Sequence, residues 1–170
     1  KKIHVYVTSS MKDSFTCEVK DYYIAGEKVS LLAIIKDGYI FNGWCLNENI
    51  ITSSTDYSFE IGNDDIYLKL IIESKRYTLT LDPKDGYLTK NTENVYFNQK
   101  YNLPKAYKQG YEFEGWFIGD EKLTDENGNS LNNWKIPNNQ TLIAKFIENK
   151  NGILYIYDVE TFLNIKNNIN

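Results

Sequence analysis

The chain says one thing twice. Gly38-Tyr39-Ile40-Phe41-Asn42-Gly43-Trp44 returns as Gly110-Tyr111-Glu112-Phe113-Glu114-Gly115-Trp116, a displacement of 72 residues (110 − 38). Self-similarity at a fixed offset means copies of one small module. It also argues against a single catalytic centre, because duplicated units serve reach, avidity or a repeated surface. With 170 residues to divide, each copy is small. A domain of that size buries only about 60% of the surface its unfolded chain exposes. Large aromatic side chains offset the deficit, each burying about 150–250 Å². They make up 15% of this chain, with 14 Tyr among them.

Most segments alternate with period two, the mark of half-buried strands. In Tyr77-Thr78-Leu79-Thr80-Leu81 the apolar residues share one face and the threonines the other. Ile66 to Leu70 and Leu142 to Phe146 behave alike. In the second motif Tyr111, Phe113 and Gly115 fall on one face, and Glu112, Glu114 and Trp116 on the other. A glycine just before the tryptophan suggests a bulge that turns Trp116 back towards the core. Beyond the motif, Val5 and Val7 align with Tyr77 and Leu79, Phe59 and Ile61 with Trp134 and Ile136, and Lys69 with Lys145. The second copy therefore carries extra residues between Trp116 and Trp134, in a stretch containing the turn-forming Asp125-Glu126-Asn127-Gly128-Asn129.

The expected organisation is mainly β: two tandem small β modules at 1–73 and 74–149, then a C-terminal strand and helix at 150–170. In that last piece Ile153 to Tyr157 reads as a strand and Asp158 as an N-cap. Phe162, Ile165 and Ile169 would line one helical face, which suits the start of a following domain.

Net charge is −4 with the signs interspersed, so no nucleic-acid arm or polybasic anchor is evident. No run of eighteen apolar residues is present, so no membrane insertion is expected. The opening Lys1-Lys2-Ile3 lacks an initiator Met and reads as a piece of a longer protein. The single His4 leaves little room for a Ser–His–Asp or Cys–His site, and multi-histidine zinc sites are impossible. Cys17 and Cys45 both fall in the first copy and read as small buried hydrophobes, with a bridge between them as the alternative.

The carboxylate pairs Asp64-Asp65 and Asp120-Glu121 read as solvated turn residues, because a glycosidase pair needs a cleft. Asp125-x-Asn127-x-Asn129 has the opening ligands of a calcium loop. Its glycine is misplaced, however, and Ile136 stands where the bidentate acid belongs. No metal and no cofactor is expected.

The extended Tyr-Thr-Leu-Thr-Leu strand, the Gly-Tyr-x-Phe-x-Gly-Trp core and the closing Leu-x-Ala-Lys-Phe strand together resemble the internalin-B-type B repeat, also called the Listeria–Bacteroides repeat. Residues 76–147 carry the pattern through Tyr77 to Leu81, Gly110 to Phe117 and Leu142 to Phe146. Residues 2–73 resemble a divergent copy with Leu68-Lys69-Leu70 in place of Ala-Lys-Phe. The tail from Ile156 to Asn168 is faintly similar to the lead-in of GLUG-type repeats. The resemblance implies β-grasp-like modules in tandem on secreted or wall-attached bacterial proteins, without catalytic residues. Gly38, Tyr39, Phe41, Gly43, Trp44, Gly110, Tyr111, Phe113, Gly115, Trp116 and Trp134 are then structural positions.

Aromatic side chains are the remaining binding candidates: Tyr22, Tyr23, Tyr57, Tyr101 and Tyr107, placed in loops or on outward strand faces. They could stack on sugar rings or serve a protein interface, or simply cover the cores. The expected function is a non-catalytic spacer or adhesion pair from a bacterial surface protein, with a host or cell-surface protein or glycan as partner, acting as a monomer or weak dimer. The alternative is a pair of carbohydrate-binding accessory modules belonging to a larger surface enzyme.

Overall fold

A computed structural model describes residues 1–149. The chain divides into two units, Lys1–Lys75 and Arg76–Asn170. The expected strand and helix of 150–170 lie outside the described residues. The first unit holds β1 (Val5–Ser9), β2 (Phe15–Thr16), β3 (Lys28–Leu32), β4 (Ile34–Ile35), β5 (Tyr39–Leu46), β6 (Asn49–Thr52), β7 (Asp56–Glu60) and β8 (Ile66–Ser74). The second holds β9 (Arg76–Asp82), β10 (Thr92–Tyr96), β11 (Tyr111–Ile118), β12 (Glu121–Lys122) and β13 (Gln140–Glu148). The fold is mainly β, and the described residues contain no helix. Glu73 and Ser74 continue β8, so Lys75 alone stands between β8 and β9.

Both main sheets follow one plan. The orders are β1-β8-β5-β6 and β10-β9-β13-β11-β12. In each unit the last described strand lies beside the first and parallel to it, and the motif strand pairs antiparallel with it. The alternating segments bury one face as read: Tyr77, Leu79 and Leu81 point inward while Thr78 and Thr80 are exposed. Two hydrophobic cores result. One gathers Val29, Leu31, Trp44, Ile61, Leu68 and Leu70, and the other gathers Leu79, Leu81, Leu103, Trp116, Trp134 and Leu142.

Strand register corrects the alignment of the copies. Trp44 faces Leu70 and Trp116 faces Ala144, so the closing strands correspond at 74 residues (144 − 70). Ala144-Lys145-Phe146 therefore answers to Leu70-Ile71-Ile72, and Lys145 matches Ile71 rather than Lys69. Val7 pairs with Leu68 and Leu81 with Leu142, which matches Val5 to Leu79 rather than to Tyr77. The motif itself keeps its offset of 72. Loops on either side of it differ in length, and an offset carried outward from the motif misses that.

The glycine before each tryptophan works as the sequence suggests. Register slips between Phe41 and Gly43 and again between Phe113 and Gly115. The extra residue bends the strand, and Trp44 and Trp116 both turn inward to 0% exposure. Phe41 meets Trp44 edge-on at 6.4 Å, and Phe113 meets Trp116 at 5.5 Å. Burying an indole of about 200 Å² at about 25 cal/mol/Å² contributes at most about 5 kcal/mol. Gly43 has φ +152°, and a Cβ there would lie 2.7 Å from the Thr52 carbonyl oxygen. Gly115 has φ +148° and meets the Thr124 carbonyl in the same way. Both contacts are with backbone, so neither can yield cheaply.

Gly43→Ala and Gly115→Ala should each destabilise their own unit by about 2–4 kcal/mol, read as the loss of one transition in urea. Gly110→Ala, at φ +78° with nothing near its Cβ position, should cost only about 1 kcal/mol.

Candidate functional site

The five tyrosines do not form a common surface. Tyr22 is exposed, with the Lys2 ammonium 4.3 Å above its ring. Tyr23 is 4% exposed and belongs to the first core, where its backbone bridges Ile3. Its outward placement is therefore corrected: the bridge to Ile3 fixes the ring inward. Tyr57 is half-buried against the same core, stacked on Phe59 at 5.1 Å and tilted against Trp44 at 6.1 Å. Tyr107 is half-buried beside its bridge partner Tyr87. Tyr101 is half-buried too, with its ring edge-on to Trp134 at 5.8 Å.

Tyr101 opens onto a cleft of about 260 Å³ shared with Glu121, Lys122, Asn132, Asn133 and Trp134. Its hydroxyl makes one long hydrogen bond, donated to the Leu123 carbonyl at 3.5 Å. Burial, reinforced by the Glu121 charge, pushes the Tyr101 phenol up to about 12, so it stays protonated and able to donate. Asn133 donates its amide to the Asn98 carbonyl at 2.8 Å. Trp134 is 2% exposed, and its indole nitrogen is buried without a hydrogen-bond partner. The other two tryptophans satisfy theirs: Trp44 donates to the Thr55 carbonyl at 3.2 Å and Trp116 to that of Pro104 at 2.8 Å. Sequence reasoning took Trp134 as core, which it is, but missed the polar set around it. A position-by-position comparison with the first copy would have exposed it, since of the matching Val29, Asn49, Ile50 and Ile61 only Asn49 is polar.

Trp134 also sits elsewhere in the module than the alignment implied. In the first unit Ile61 donates to Glu27 and its carbonyl accepts from Gly26. Trp134 does the same with Gln99 and Asn98. Trp134 thus fills the slot of Ile61, not that of Phe59.

The remaining candidates have structural partners. His4 stacks on Tyr6 at 6.1 Å, and its backbone amide donates to Asp65 at 2.8 Å. Asp64 and Asp120 pair with Lys1 and Lys145. The Asp125 carboxylate accepts from the amides of Asn127 and Asn129 at 2.9 and 2.8 Å, and from the Asn129 side chain at 3.1 Å. Those bonds, the side-chain one foremost, hold its carboxyl below the usual range. They also occupy the oxygens a calcium ion would need. Among the described residues no group of three or more His, Cys, Asp or Glu could hold a metal. Cys17 and Cys45 are free thiols, one half-buried and one buried. Burial raises the Cys17 thiol, keeping it protonated and a weak nucleophile.

Because the folded Asp125 carboxyl is depressed, its contribution is present above the ordinary carboxylate range and is lost as pH falls through the depressed value. The Asn127 and Asn129 amide resonances should shift together in that acid window, and millimolar calcium at neutral pH should leave them in place. Trp134→Ala should cost about 3–5 kcal/mol in the second unit, read by denaturant titration.

Neither the curated proteins nor the solved structures contain a match to this chain. No helix among the described residues is long and apolar enough to cross a membrane. The Listeria–Bacteroides repeat domain matches twice, at residues 10–69 and 77–145. That repeat is found in bacterial surface proteins. Two tandem matches over most of its length place the chain in the Listeria–Bacteroides repeat family.

Proposed function

We propose that this chain is a non-catalytic module pair of a bacterial cell-surface or secreted protein, acting outside the cell as a spacer that carries tension. The observation that supports this reading is strand order. Among the described residues, the first and last strands of each unit are parallel neighbours, with Val5 to Ser9 against Ile66 to Leu70, and Leu79 to Asp82 against Gln140 to Ile143. A pull on the two ends of such a unit acts along the strands in opposite senses. The hydrogen bonds between them are then sheared together instead of opening one by one.

The reactive groups favour a non-enzymatic role. His4 is stacked, the Cys17 thiol is protonated, and the carboxylates outside the cleft are solvated or saturated. Partner contacts, whether with a host protein, a cell-surface protein or a glycan, would be made by exposed side chains and sheet edges. A monomer or weak dimer suits such a module. One observation favours the second reading, accessory glycan binding for a larger surface enzyme: the cleft at Tyr101.

Force spectroscopy tests the main reading. Pulled end to end, each unit should release about 20–25 nm of chain in one step. Tyr111 pairs with Glu148 across antiparallel strands, so a pull between those two positions unzips the second unit. Its unfolding force should fall well below the end-to-end value. Equal forces in the two geometries would rule out the shear arrangement as the source of strength.

A further inference from the structure

The second copy departs from the first most sharply at one place, and the departure builds the cleft. In the first unit β3 and β7 run on without interruption: Ser30 pairs with Ser58, and Ile61 donates to Glu27. In the second, Asn102 pairs with Asn129, but the next bond, from Trp134 to Gln99, comes two residues later than it should (134 − 129 = 5 against 61 − 58 = 3). The added length falls at 130–133 and brings Asn132 and Asn133 to the rim. At matching places Val29, Asn49, Ile50 and Ile61 of the first unit become Tyr101, Glu121, Lys122 and Trp134.

The replacements form a chemically coherent set. Tyr101 offers a flat apolar wall with a hydroxyl at its edge. Glu121 and Asn132 are exposed, and their side chains have no hydrogen bond or ion pair among the described residues. Asn133 has its amide nitrogen engaged, which leaves its carbonyl oxygen to accept. Trp134 also lines the cleft, and its buried indole N–H has no hydrogen-bond partner. The lining carries charges of both signs, Glu121 beside Lys122 and Lys135, which suits a neutral polar ligand better than an anion, and an alkyl ligand would strand the amides unpaired. A pyranose ring suits both demands, with C–H groups to lie on an aromatic wall and hydroxyls that both donate and accept. At about 260 Å³ the cleft is smaller than a drug-sized pocket and has room for one ring.

We propose that the cleft of the second unit binds one neutral sugar residue of a glycan, held on Tyr101 and hydrogen-bonded by Glu121, Asn132 and Asn133. This deepens the glycan-binding reading and stands apart from the tension-carrying one, which needs no ligand and is tested by force.

The test is an NMR titration of the whole 170-residue chain, labelled with ¹⁵N, with glucose, galactose and N-acetylglucosamine. Each is raised to about 50 mM, with inorganic phosphate titrated in parallel. At least one sugar should shift the Trp134 indole N–H and the Asn132 and Asn133 side-chain amides saturably, with Kd about 1–20 mM. Glu121→Gln and Asn132→Ala, both on exposed side chains, should each weaken binding at least about fivefold. Unchanged indole signals of Trp44 and Trp116 would show that these variants are folded. The proposal is overturned if no sugar gives saturable shifts, or if phosphate gives them while the sugars are silent. It is equally overturned if the shifts fall in the first unit, or if both variants bind undiminished.

Discussion

A backbone kink that only glycine can make holds each unit together. At Gly43 and Gly115 the motif strand slips register by one residue, and the carbonyls of Thr52 and Thr124 occupy the space a Cβ would need. Without the slip, period-two alternation would send Trp44 and Trp116 outwards. With it, the largest side chain in the module becomes the keystone of a core too small to do without it. The phenylalanine three residues earlier then meets the indole edge-on in both units, so Phe, Gly and Trp act as one device.

That device was legible in the sequence because it is local. The spacing of aromatic and glycine residues within seven positions encodes the bulge and the burial direction, while the edge-on contact of phenylalanine and indole emerged only in the structure. The alternating strands were legible for the same reason, as Tyr77, Leu79 and Leu81 show. Correspondence between the outer strands was not. It depends on which residues hydrogen-bond across the sheet, and loops that differ by two residues shift it unseen. The slot shared by Ile61 and Trp134 appears only from their backbone partners. Likewise Tyr23 has the composition of a loop residue, and a single bridge to Ile3 commits it to the core.

The two copies divide along an instructive line. On the closing strands, Leu70 and Ala144 opposite the motif tryptophans are apolar in both units, since an unpaired polar group there would lose its water. Positions along β6 and β12, the strands beside the motif strand at the edge of each sheet, differ between the copies. There the first unit keeps Ile50 and Ile51 where the second has Lys122 and Leu123. Four differing residues and a two-residue difference in length separate the mostly apolar edge of the first unit from the cleft of the second, which carries amides and a carboxylate.

Pairing the first strand with the last also governs when a unit can form. During synthesis β9 emerges early, yet its parallel neighbour β13 begins at Gln140, some sixty residues later (140 − 76 = 64). Until that segment clears the ribosome, one flank of the opening strand has no partner, and the hydrophobic interior stays unsealed. Such long-range closure is slow in entropic terms. A nascent module of this kind therefore remains a threadable chain almost to its final residue, and then locks.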